Sequence, residues 1–157
     1  VQNVTITGGA STPLTYTILV RNVGGAPTAT DYVVTDSAFP SFYSIASVNW
    51  TKNGVTTPST SAALLGGGIN IGVLAANDNT ASGNDEATVT VTGSAAPAAA
   101  NSGPHVNTAY ACPQVGEATF QAETACVSDT ASVSVTYSPP GPQFGSHLGA
   151  KLRACVI

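Results

Sequence analysis

The chain has no methionine, one tryptophan, two histidines and three cysteines in 157 residues, and only 8% of it is charged. Each shortage excludes something. With four basic residues and no basic run, nucleic-acid binding has no electrostatic footprint. No apolar run approaches the ~20 residues of a membrane span. No CxxC pair is present, so the cysteines do not read as a zinc site, and no GxSxG elbow supports a hydrolase. Charge this scarce, against a norm of about 25%, limits the solubility of a free monomer. It fits a surface covered by neighbouring subunits, by glycans or by a lattice.

What remains is Thr, Ser, Ala, Gly and Val in short alternating runs. "NVTITGG" alternates and stops at two glycines. "LTYTILVRN" puts Leu14, Tyr16, Ile18 and Val20 on one face. "TDYVVTD" is short and β-branched. "FYSIASVNW" sets Tyr43, Ile45, Ser47 and Asn49 against Phe42, Ser44, Ala46, Val48 and Trp50. "GGGINIGVL", "EATVTVTG" with Ala87, Val89 and Val91 on one face, "HVNTAYAC" and "ASVSVTY" complete the set. Turn residues separate the runs, and no 3.6-residue periodicity lasts beyond about two turns. "NVGGAPT" reads as a turn and "SAAPAAAN" as a loop. These patterns predict an all-β, immunoglobulin-like antiparallel β-sandwich. Residues 1–138 form the sandwich, 139–147 a Pro/Gly-rich hinge and 148–157 a terminal strand.

The run "YTILVRNVGGAPTATDYVVTDS" resembles the conserved-repeat "domain of unknown function 11" of bacterial and archaeal surface proteins, with its YT-I-x-V-x-N strand, Ala-Pro turn and V-V-x-D strand. "INIGVLAAND", "EATVTVTG", "HVNTAYA" and "TASVSVTY" look like its later landmarks in order, over roughly residues 4–137. The resemblance implies an immunoglobulin-like sandwich in a secreted or surface-anchored protein, with no catalytic residues to carry over. The insertion "CPQVGEATFQAETAC", the hinge "SPPGPQFGS" and the terminal strand depart from the family, and a single copy is unusual for it. A stand-alone, assembling subunit fits these departures.

The chemistry the sequence offers is sparse. Pairing Cys112 with Cys126 would close a loop of about 15 residues and stabilise by roughly 3 kcal/mol. Cys155 bonded to either is the alternative, and an unpaired Cys155 is a thiol for an intermolecular link. Ser146–His147 is only a sequence neighbour pair, His105 is structural or exposed, and Asp31, Asp36, Glu117 and Glu123 read as solvated carboxylates. "NDNTASGNDE" is oxygen-rich, as Ca²⁺ prefers, but lacks EF-hand spacing, and a polar turn between two strands explains it equally well. Lys52, required for a Lys–Asn isopeptide bond, sits at the hairpin tip "KNG". Asn3 and Asn49 head N-glycosylation sequons. No catalytic residue, cofactor or metal is assigned. Val1 reads as the product of leader removal, with an arbitrarily trimmed start as the alternative, and export suits the cysteines.

The tail "HLGAKLRACVI" alternates Leu148, Ala150, Leu152, Ala154 and Val156 with Gly149, Lys151, Arg153, Cys155 and Ile157. It reads as the last strand of its own sandwich, as a donor strand completing a neighbour's sheet, or as a free tail. Pro139, Pro140 and Pro142 make a stiff spacer that favours the donor reading, and the N-terminal strand is a second donor candidate. The function expected is a non-enzymatic subunit of an extracellular filament, pilus or surface layer whose partners are copies of itself. The alternative is an adhesin or carbohydrate-binding module, for which exposed aromatics would be the sign.

Overall fold

The computed structural model describes residues 4–7, 11–36, 39–80, 83–114 and 126–137. Nine strands run along the described residues. They are β1 (Val4–Thr7), β2 (Thr12–Arg21), β3 (Tyr32–Asp36), β4 (Tyr43–Lys52), β5 (Val55–Ser59), β6 (Ile69–Gly72), β7 (Glu86–Ala95), β8 (Gly103–Pro113) and β9 (Val127–Thr136). Helix is confined to single turns at Ala63–Gly67 and Ala99–Asn101. No helix among the described residues is long and apolar enough to cross a membrane.

The strands form two sheets, ordered β1-β9-β8-β3-β6 and β2-β7-β4-β5. All neighbours are antiparallel except β1, which runs parallel to β9. The triplets β3-β8-β9 and β2-β7-β4 have the C-F-G and B-E-D order of an immunoglobulin sandwich. The crossings from β2 to β3 and from β7 to β8, among the six places where the chain changes sheet, match that sandwich, so the fold is immunoglobulin-like with β5 and β6 added.

Alternation puts one face of each sheet inside. Ala87, Val89, Val91 and Ala95 of β7 are fully buried and face Val34, Ile69, Ile71, Ala111, Val133 and Val135 of the other sheet in one core. In β4 the strict alternation fails. The register slips between Ile45 and Ser47, and this bulge moves the inward set from Tyr43 and Ile45 to Val48 and Trp50. Asn49 therefore lies on the outer face, between Thr90 and Pro58.

Tyr43 fixes the open end of this sheet. Its hydroxyl donates to the Leu14 carbonyl at 3.0 Å and contacts the Val91 carbonyl at 3.3 Å. Burial, then the nearby Tyr16, pushes its pKa up to about 12. The ring lies over Gly93, where an added Cβ would meet the Tyr43 Cζ and hydroxyl at 2.8 Å. The β4–β5 hairpin turns on Asn53 and Gly54, both with positive φ, as the "KNG" tip predicts. Lys52 reaches across to donate to the Ile71 carbonyl at 3.1 Å and the Val73 carbonyl at 2.5 Å.

Two carboxylates expected in solvent are buried. Asp36 has no exposed surface and accepts from Asn107 Nδ2 at 2.5 Å inside the sandwich. Asp85, in the supposed polar turn, is 1% exposed. The partners that bury them come from distant parts of the chain, so local pattern did not reveal them.

Candidate strand-docking groove

As described, β1 covers only part of the strand it joins. It pairs with residues 133–136 of β9, leaving residues 127–132 with β8 on one side and no described strand on the other. On the same flank, β2 is the edge of the second sheet and pairs only with β7. Two ten-residue strands, one from each sheet, thus end at a gap where a sandwich would ordinarily continue.

Burial along the inward positions of β9 records that gap. Val135 and Val133 are each 3% exposed, Ala131 is half-buried, Asp129 is exposed and Val127 is 63% exposed. An aliphatic residue at an inward position is solvated because nothing described covers its end of the strand. Leu19, on β2, is 54% exposed at the same flank.

Between the two edges runs an open groove with two adjoining hollows of about 100 and 190 Å³. Ile18, Leu19, Ala109 and Asp129 border both hollows, with Val20 and Val127 at one end and Tyr16 and Asn107 at the other. For scale, a cavity of about 150 Å³ holds benzene, so the hollows have room for aliphatic side chains of alanine to leucine size. At the polar end, the Tyr16 hydroxyl and Asn107 Oδ1 are buried and make no hydrogen bond among the described residues. Burial and the charge of Asp36 raise the Tyr16 pKa, keeping the phenol protonated as a donor. The floor therefore offers one unused donor, one unused acceptor and an apolar wall.

A disulfide holds the exposed end of β9 in place. Cys112 and Cys126 are bonded, with Cα atoms 4.2 Å apart. Cys126 immediately precedes β9, so the bridge ties the unpartnered start of that strand to β8. The sequence pairing of these two cysteines is thereby placed. Leu148, Ala150, Leu152, Ala154, Val156, Cys155 and Asn3 lie outside the described residues, as do Ser146 and His147.

The remaining sequence candidates are structural. His105 Nε2 bonds the Asn101 carbonyl at 2.7 Å and its ring meets Phe42 edge-on. Asn49 occupies a central strand rather than a loop, the usual place for a sugar acceptor. The aromatics expected of a sugar platform point into the protein. Tyr16, Tyr32, Phe39, Phe42, Tyr43 and Trp50 pack on the core, and no aromatic is among the exposed large hydrophobic residues described. The groove itself was missed by sequence reading. Its only sequence signal is the brevity of the first alternating run against the length of the last.

No family model matches the chain, and no curated protein sequence matches it. Among solved structures, the chain is similar to the crystal structure of ACE19, the collagen binding subdomain of Enterococcus faecalis surface protein ACE. The two share 9% identity over 85% of this chain and 92% of that chain, with a TM-score of 0.35.

Proposed function

We propose that this chain is a non-catalytic, extracellular β-sandwich subunit that assembles with copies of itself by strand addition. In this reading the segment 148–157 of one copy lies in the groove between β2 and β9 of the next. The observation that carries it is the progressive loss of cover along β9, from 3% exposure at Val133 to 63% at Val127. A strand laid along residues 127–132 would continue the line of β1, use the open main-chain groups of β9 and cover Val127 and Ala131.

The tail suits the groove in three respects. Its alternate residues Leu148, Ala150, Leu152, Ala154 and Val156 are aliphatic and of the size the hollows admit. Its other face, with Lys151 and Arg153, half of the basic residues of the chain, would turn away from the hollows into solvent. The proline-rich segment before it is a stiff spacer suited to carrying a strand away from its own domain. A head-to-tail contact of this kind propagates into a filament unless its rotation closes a ring. The low charge of the chain fits a subunit whose surface is largely covered, and the resemblance to the surface-protein repeat family noted above fits the same setting.

Deletion of residues 143–157 tests this. The truncated protein is expected to sediment as a monomer under conditions where the full chain polymerises, and to bind a synthetic 146–157 peptide one to one. Continued polymerisation of the truncated chain would refute the C-terminal donor. A second reading is an adhesin whose groove takes an extended segment of another protein, since main-chain pairing does not itself select the source of the strand. A monomeric full-length chain that binds foreign extended peptides would favour it. Stacking on sugar is disfavoured by the packing of six of the described aromatics on the core, which leaves Tyr110 and Tyr137 half-buried outside it.

A further inference from the structure

We propose that Asp78 and Asp85 hold a Ca²⁺ ion that ties together two parts of the loop before β7 where it packs on the turn after β2. The loop and turn are already stitched together by the main chain. Asn22 N donates to the Asp85 carbonyl at 2.8 Å and Asn77 N to the Gly24 carbonyl at 2.9 Å, while Asn22 Nδ2 reaches the carbonyls of Ala26 and Ala75, both at 2.7 Å. Asp85 is sealed beneath this junction at 1% exposure, and neither of its carboxylate oxygens has a hydrogen-bond donor among the described residues. A buried carboxylate without donors is costly unless a cation accompanies it.

Arg21 lies close enough to act on both carboxylates, but no hydrogen bond from it to Asp78 or Asp85 is found among the described residues. Its guanidinium is engaged by Glu86, with Nε donating to Oε2 at 2.8 Å and a second, closer bond from Nη2. Asp78, Asp85 and Glu86 against Arg21 leave two negative charges at the junction, the charge one divalent ion neutralises.

The geometry of Gly83 shows that the two carboxylates converge. A Cβ built there would lie 2.6 Å from Asp85 Oδ1 and 2.7 Å from Asp78 Oδ2. The two oxygens are therefore at most about 5.3 Å apart, close to the roughly 5 Å that two Ca–O bonds span end to end. Glycine keeps the space between them open. The Thr80 hydroxyl and amide bond the other Asp78 oxygen at 2.6 and 2.8 Å and fix the orientation of its carboxylate. No third His, Cys, Asp or Glu joins the pair among the described residues, so the remaining ligands are carbonyl oxygens and water, in the flexible geometry that Ca²⁺ accepts and the near-octahedral Mg²⁺ does not. This revises the reading of "NDNTASGNDE" as a plain polar turn and does not depend on the assembly proposed above.

The test is calorimetric titration of the chelator-treated full chain with CaCl₂, with thermal melts alongside. One site per chain is expected, with a Kd on the order of 10⁻⁴–10⁻³ M, the range of extracellular calcium modules. Asp85→Asn, Asp78→Asn and Gly83→Ala should each weaken it at least tenfold and abolish the calcium-dependent rise in Tm. Asp78 is exposed, so D78N decides the matter if D85N fails to fold. No heat and no Tm shift up to about 10 mM Ca²⁺, tenfold above the weakest expected Kd, would overturn the proposal. So would an unchanged affinity in D78N, or equal binding of Mg²⁺.

Discussion

Single residues set the two most sensitive points of the sandwich. Gly93 sits mid-strand in β7, opposite Leu14 on one side and Ile45 on the other, with the Tyr43 ring against its α-carbon. A methyl group there meets the ring and the Ser44 carbonyl of the bulged strand, and neighbours on both sides keep the backbone from yielding. Overpacking ordinarily costs about 1–3 kcal/mol, and Gly93→Ala is expected at or above the upper end of that range. Urea midpoints of the two proteins measure it, and a loss below about 1 kcal/mol would contradict the packing described. Asp36 and Asn107 form the second point. Their sequence context, a strand end and an ordinary alternating strand, gave no sign of burial, because the pair spans 71 residues of sequence. Buried polar pairs of this separation are set by topology, which alternation alone does not encode.

Among the elements, those with unbroken period-two patterns were legible. β2 and β7 emerge with the inward residues that alternation picks, because both are paired over their whole length without a slip. β4 was legible as a strand but not in its facing, since one bulged residue at position 46 inverts every side chain after it. β5 was read only as the far side of a hairpin tip. Its Pro58 is tolerated because β5 is an edge strand. The groove was not legible at all, because it arises from where the short β1 meets β9, and that register appears only in the folded chain. The disulfide bears on this element directly. Replacing both Cys112 and Cys126 by Ser should cost roughly 3 kcal/mol through the restored freedom of the loop. It should also speed amide hydrogen exchange at residues 127–131 more than at 133–136, which β1 covers on their other edge. Equal acceleration along all of β9 would contradict the view that the bridge stands in for a missing strand.

At the scale of the whole molecule, one flank is unfinished among the described residues while the interior is closed by a continuous apolar core. In the assembly proposed above, the tail, with its matching alternation, supplies the strand that this flank lacks, so that one chain would carry both halves of a joint. The low charge of the chain and the open groove would then follow together from a subunit completed by its neighbour. The measurement that tests this most directly is cryo-electron microscopy of the assembled native material at side-chain resolution. The account predicts residues 148–156 of each subunit lying along residues 127–132 of the next, with Leu148 to Val156 filling the hollows beside Ile18, Ala109 and Val127. The same segment folded into the groove of its own chain, or an assembly with that groove open to solvent, would contradict it.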